Sequence, residues 1–177
     1  MFIGAEVHLD LGFDAVQAGL ANLVRGDLLR RASDGAYHEW QACLAQIWPW
    51  VTALGTGLVQ VRVRDMVTHA DCATWTMRWE VTGPGGSLFP ALDADIKLIP
   101  AGPDATVLAV AGVCRPPLVR LADVLDPAVT REVAQALIQA LTSRVAASVA
   151  DPAGGPDAGH GTMRPGPAPG AGYRMAC

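Results

Sequence analysis

Three stretches between Leu58 and Leu98 alternate apolar and polar residues one by one, and short breaks separate them. LVQVRV sets Val59, Val61 and Val63 against Gln60 and Arg62. CATWTMRWEV sets Trp75, Met77, Trp79 and Val81 against Thr74, Thr76, Arg78 and Glu80. ALDADIKL sets Leu92, Ala94, Ile96 and Leu98 against Asp93, Asp95 and Lys97. A period of two is that of a strand with one buried face. A fourth run, ATVLAVAGVC, is apolar on both faces, which predicts a central or doubly covered strand. The breaks HAD, TGPGGSLFP and PAGPD are too short for crossover helices, so the strands form an antiparallel meander.

The rest of the chain must cover this sheet. FIGAEVHLD predicts a strand with Ile3, Ala5, Val7 and Leu9 facing inward, and FDAVQAGLANLV predicts a helix stopped by Gly26. LLRRASDGAYHEW allows a strand pair turning at Ser33-Asp34-Gly35 or a helix broken there. Pro49 and the later glycines make ACLAQIWPWVTALGTG a short helix followed by a buried, irregular segment. The closing helix has Asp126 as N-cap and Pro127 at its first position. Its apolar residues, Val129, Val133, Leu137, Leu141 and Val145, recur at steps of four, with Arg131, Gln135, Gln139 and Arg144 mainly opposite. After residue 149 the Gly/Pro/Ala-rich stretch 150–177 offers almost nothing to bury, so a single domain over 1–149 with a disordered tail is expected.

A helix is about 10 Å wide, narrower than five or six strands at about 4.8 Å spacing. A curved sheet gripping the closing helix, the only long cover the sequence offers, therefore leaves room for an internal cavity. This order of elements, with TGPGGSLFPALDADIKL and GVCRPPL ahead of the closing helix, resembles bacterial members of the START-like or SRPBCC superfamily. That group includes polyketide cyclase/dehydrase-like proteins, lipid-transfer domains and plant Bet v 1-type proteins. The resemblance covers residues 1–149 and implies an α+β helix-grip fold, a curved antiparallel β-sheet wrapped around a long C-terminal helix. It also implies a cavity for an apolar or amphipathic small molecule. It implies no particular reaction, because function resides in sites and not in folds.

Several function classes are set aside by composition. A net charge of −4 with no basic run argues against binding driven by nucleic-acid phosphates. The single lysine, Lys97, beside many Ala, Gly, Val and Pro residues, fits the codon bias of a GC-rich, bacterial genome. TGPGG is followed by Pro90 and a strand instead of a helix, so it is expected to turn the chain and not to cradle a phosphate. Cys43, Cys72, Cys114 and Cys177 lack C-x-x-C spacing, and His8, His38, His69 and His160 lack partners at metal-ligand spacing, so neither a metal nor a cofactor is expected. The N-terminus has no signal-peptide pattern, and no apolar run approaches the ~20 residues of a membrane span. A cytoplasmic protein with reduced thiols is the expectation.

Two sets of candidate residues remain. Val61, Val63, Trp75, Met77, Trp79, Leu92, Ile96, Leu137 and Leu141 face the interior, where they line a ligand cavity or simply pack as core. Tyr37, His38 and Glu39 are the densest acid/base cluster, with proton transfer on one side and exposed polar residues around a turn on the other. Arg115 is expected to anchor its loop through backbone carbonyls, with a buried cation near the cavity end as the other reading. The leading expectation is non-catalytic binding of a lipid, polyketide or similar molecule. A polyketide cyclase or dehydratase, and a protein-interaction module without ligand, stay open beside it; the oligomeric state is not specified.

Overall fold

The structure is a computed structural model that describes residues 1–47, 57–64, 66–69, 72–83, 86, 89–115 and 127–151. Its elements run β1 (Phe2–Leu9), α1 (Phe13–Arg25), α2 (Leu28–Ile47), β2 (Leu58–Val63), β3 (Val67–His69), β4 (Cys72–Thr82), β5 (Ala91–Gly102), β6 (Ala105–Arg115) and α3 (Pro127–Ala150). The strands form one antiparallel sheet in the order β1-β6-β5-β4-β2, with β3 also paired to β4. The meander is as expected, and β1 closes it beside β6. This is a helix-grip.

Alternation does its work strand by strand. Trp75, Met77, Trp79 and Val81 are buried on β4, and Leu92, Ala94, Ile96 and Leu98 on β5. Val63 pairs with Met77 and Val67 with Thr74, so this edge runs one residue longer than β4 between the two pairs. That extra residue is a bulge, and it breaks the edge into β2 and β3. On β6 the inner face is buried, while Val113 on the outer face is 47% exposed, so β6 is internal in the sheet but not covered on both sides there. The outer surface of β2, β4, β5 and β6 carries a ladder of ion pairs: Arg62–Glu80 (3.8 Å), Arg78–Glu80 (3.0 Å), Arg78–Asp93 (3.3 Å) and Arg115–Asp93 (2.8 Å). Arg115 is thus an exposed partner of Asp93 and not a buried cation, because its strand residue points away from the core, and the loop it was expected to anchor lies outside the described residues.

Two corrections concern the helices. α2 is a continuous helix through Ser33-Asp34-Gly35, neither turned nor broken there. A helical glycine costs about 1 kcal/mol relative to alanine. Tertiary packing outweighs that here: Leu29, Ala32, Ser33, Ala36, Tyr37 and Trp40 form one buried stripe, and Gly35 sits against the Arg144 guanidinium of α3. Trp40 Nε1 also donates to the Val133 carbonyl of α3 at 2.9 Å. The irregular segment expected after the helix lies mainly in 48–56, outside the described residues, as do Asp126 and the tail from 152 onward.

In α3, the buried stripe is Ala134, Leu137, Ile138, Leu141, Val145, Ala146 and Val149. Steps of four advance about 40° each around a helix, so Val129 and Val133 rotate away from the centre of that stripe and are only half-buried. α3 is also long and apolar enough to cross a membrane by length and composition. Its leucines are spent on the core, where Leu137 and Leu141 are inaccessible.

α3 packs on β1 and β6, and α2 lies beside it over the β2–β4 side. The closing helix is therefore not the only long cover. Five strands at about 4.8 Å spacing span ~20 Å, and two helices of about 10 Å each match that width. The place to look for a site moves from beneath α3 to the seam between α2 and the sheet.

Candidate functional site

The register assembles the wall anticipated from the sequence. Val61 lies opposite Trp79, and Trp79 opposite Leu92. Val63 faces Met77, and Trp75 faces Ile96. Trp75, Met77, Trp79, Leu92, Ile96, Leu137 and Leu141 are buried, whereas Val61 and Val63, on the edge strand, are half-buried against the same core.

Against this wall α2 brings an aromatic cluster. The Tyr37 ring lies 6.2 Å from Trp79, 6.1 Å from Trp40 and 5.5 Å from Phe89, the last edge-on at 77°. Trp40 and Phe89 meet at 6.2 Å. Phe89 arrives from the β4–β5 connection that begins as TGPGG. There Gly83 has φ +104°, a conformation that favours glycine, and the turn is closed by Gly86 N–H donating to the Gly83 carbonyl at 2.9 Å. The loop joins neighbouring antiparallel strands, and its work is to turn the chain and deliver Phe89.

In this cluster and one helical turn from it on α2, hydrogen bonding fails. Ser33 Oγ, Tyr37 Oη and Trp79 Nε1 are buried and have no hydrogen-bond partner among the described residues. Their residues are 0%, 1% and 0% exposed. Ser33 and Tyr37 stand four apart on α2, hence one above the other on its inner face, and Tyr37 contacts Trp79 across the seam. Burial pushes the Tyr37 hydroxyl pKa up; the nearby Gly57 backbone opposes this in part, without reaching hydrogen-bond geometry. The other buried hydroxyls are occupied: Thr106 donates to the Leu11 carbonyl at 2.8 Å and Thr142 to that of Ile138 at 2.7 Å.

No family model matches the chain, and no curated protein matches it. Solved structures similar to it include a conserved protein from Geobacillus kaustophilus, with 13% identity over 82% of this chain and 95% of that one and a TM-score of 0.40. The Zhui aromatase/cyclase of a Streptomyces species shows 11% identity over 85% and 94%, with a TM-score of 0.30. Norcoclaurine synthase from Thalictrum flavum shows 10% identity over 82% and 86%, with a TM-score of 0.31. The likeness is one of fold alone. The helix-grip architecture implied by the START-like/SRPBCC resemblance is the one observed, and sheet order and the seating of α3 establish it.

The acid/base candidates do not converge. Successive helical residues are about 100° apart, so Tyr37 points inward while His38 and Glu39 are exposed. Glu39 pairs with Arg144 at 3.3 Å, and the His38 ring lies 5.6 Å from that of Tyr37 on the outer side. Ser33, Trp40 and Phe89 were not singled out from the sequence. A helical reading of α2 would have flagged the first two, since Leu29, Ser33, Ala36, Tyr37 and Trp40 share one face. Nothing local marks Phe89.

Proposed function

We propose that the protein binds an apolar small molecule in its interior, at the seam between α2 and β4, and does not transform it. The observation that carries this reading is the trio of unpartnered buried polar atoms, Ser33 Oγ, Tyr37 Oη and Trp79 Nε1. Each such atom costs about 1–3 kcal/mol when left unsatisfied. Two of them on rings of the aromatic cluster, and the third one helical turn before Tyr37 on α2, suit a site whose ligand supplies the missing hydrogen bonds, with apolar contact supplying affinity. A binding role is favoured over proton transfer because His38 and Glu39 face outward. Burial also holds the Tyr37 hydroxyl above its ordinary pKa, so it keeps its proton at neutral pH. A cytoplasmic setting with reduced thiols belongs to the same reading.

Mass spectrometry of purified protein after denaturation and solvent extraction tests it. The expected result is an apolar compound released in stoichiometric amount, and less of it from Tyr37→Phe or Trp79→Phe protein. Repeated preparations without any compound, together with ordered water on all three polar atoms in a crystal structure, would sink the proposal.

A further inference from the structure

Granting the binding reading above, we infer that this site selects a neutral, flat-ring molecule bearing a hydrogen-bond-accepting oxygen and rejects the carboxylate of the same skeleton. The polar inventory of the interior supports this. Among the described residues, the buried polar or charged side chains are Ser33, Thr106 and Thr142, none of them ionised, and both threonine hydroxyls are already used. Of the free atoms, the Ser33 and Tyr37 hydroxyls donate or accept, whereas Trp79 Nε1–H only donates. A ligand oxygen that accepts matches all three, and a ligand that only donates leaves the indole unpaired. The charged groups around α2 are outside: His38 and Glu39 are exposed, and Arg144 is engaged with Glu39 at 3.3 Å. An anion entering here would lose its hydration with no counter-charge among the described residues in return. The tilted rings of Tyr37, Trp40, Trp79 and Phe89, at 37–77° to one another, present faces and edges to a flat ring.

The test uses one ring system with two polar ends, 2-acetylnaphthalene and 2-naphthoate, titrated at pH 7.5 by tryptophan fluorescence and calorimetry, with naphthalene as reference. The ketone is expected to bind ~100-fold more tightly than the carboxylate, because the buried anion is left unpaired. Tyr37→Phe and Trp79→Phe should each weaken the ketone about 3- to 10-fold more than they weaken naphthalene, which has no hydrogen bond to lose. Carboxylate binding as tight as the ketone's, or ketone binding indifferent to both variants, overturns the inference while the binding function stands. If no member of the set binds, both fall.

Discussion

Tyr37→Phe should make the ligand-free protein more stable, although it removes a polar group from a buried tyrosine. The ordinary buried tyrosine hydroxyl is hydrogen-bonded, and its loss costs roughly 1 kcal/mol. Tyr37 Oη is buried without a partner among the described residues, so the folded state carries its desolvation penalty and gains nothing in exchange. Phenylalanine removes an oxygen and leaves the ring contacts to Trp40, Trp79 and Phe89 in place. With an unsatisfied hydroxyl worth about 1–3 kcal/mol and some packing lost, a net gain of about 1 kcal/mol is expected. At a urea m-value of about 2 kcal/mol/M, the midpoint rises by ~0.5 M. The pH dependence gives an independent check. Burial raises the folded-state pKa of Tyr37, so the neutral form is favoured in the folded protein. The unfolded chain ionises first, and stability present below pH about 10 is lost as pH rises beyond it. Tyr37→Phe should flatten that alkaline decline, leaving the part due to Cys114, whose thiol burial likewise pushes up. An unchanged or lowered urea midpoint in the variant would show that the hydroxyl is satisfied and that reasoning from unpartnered atoms is wrong.

Three further substitutions probe the frame around the site. Gly35→Ala should raise stability by about 0.5–1 kcal/mol in thermal or urea unfolding, since the nearest atoms to a Cβ there are those of the Arg144 guanidinium at 3.4 Å, the end of a flexible side chain. Gly112→Ala should lower stability by about 3 kcal/mol or prevent folding, because its Cβ would collide with the Asp93 carbonyl and Ala94 of the neighbouring strand. Gln135→Ala removes a 2.7 Å bond to the Gly4 carbonyl and should cost about 1 kcal/mol, with more aggregate seen by light scattering.

The sheet was legible because strand periodicity is local: Trp75, Met77 and Trp79 declare an inner face without reference to anything else. α2 was not. Ser33-Asp34-Gly35 carries turn chemistry, and what holds it helical is α3, through Arg144 beside Gly35 and the Val133 carbonyl that receives Trp40. The misjudged width of the cover followed from that one element. The interior wall around Trp79 and Leu92 could be anticipated, but the unpaired state of Ser33, Tyr37 and Trp79 could not. Satisfaction of a polar atom belongs to its neighbours, and these come from α2, β4 and the connection that carries Phe89. TGPGG was readable as a turn from Pro90 and the alternation after it, while the ring it delivers was not.

The hydrogen bonds at the start of β1 have a consequence for the growing chain. Met1 and Cys114 exchange both backbone bonds, the Met1 ammonium donating at 2.8 Å and the Cys114 N–H at 2.9 Å. In an antiparallel pair this alternation turns the backbone groups of Phe2, Gly4, Glu6 and His8 to the outer edge. Gln135, far along the chain, reaches back to one of them. During synthesis β1 must therefore wait about 100 residues for its partner β6 and longer still for α3. At typical synthesis rates of about 5–20 residues per second, that is seconds with an open edge. Phe2, 67% exposed even in the finished fold, stands on that edge throughout. For this protein the hazardous interval is its birth, and the helix that completes the fold also ends the wait.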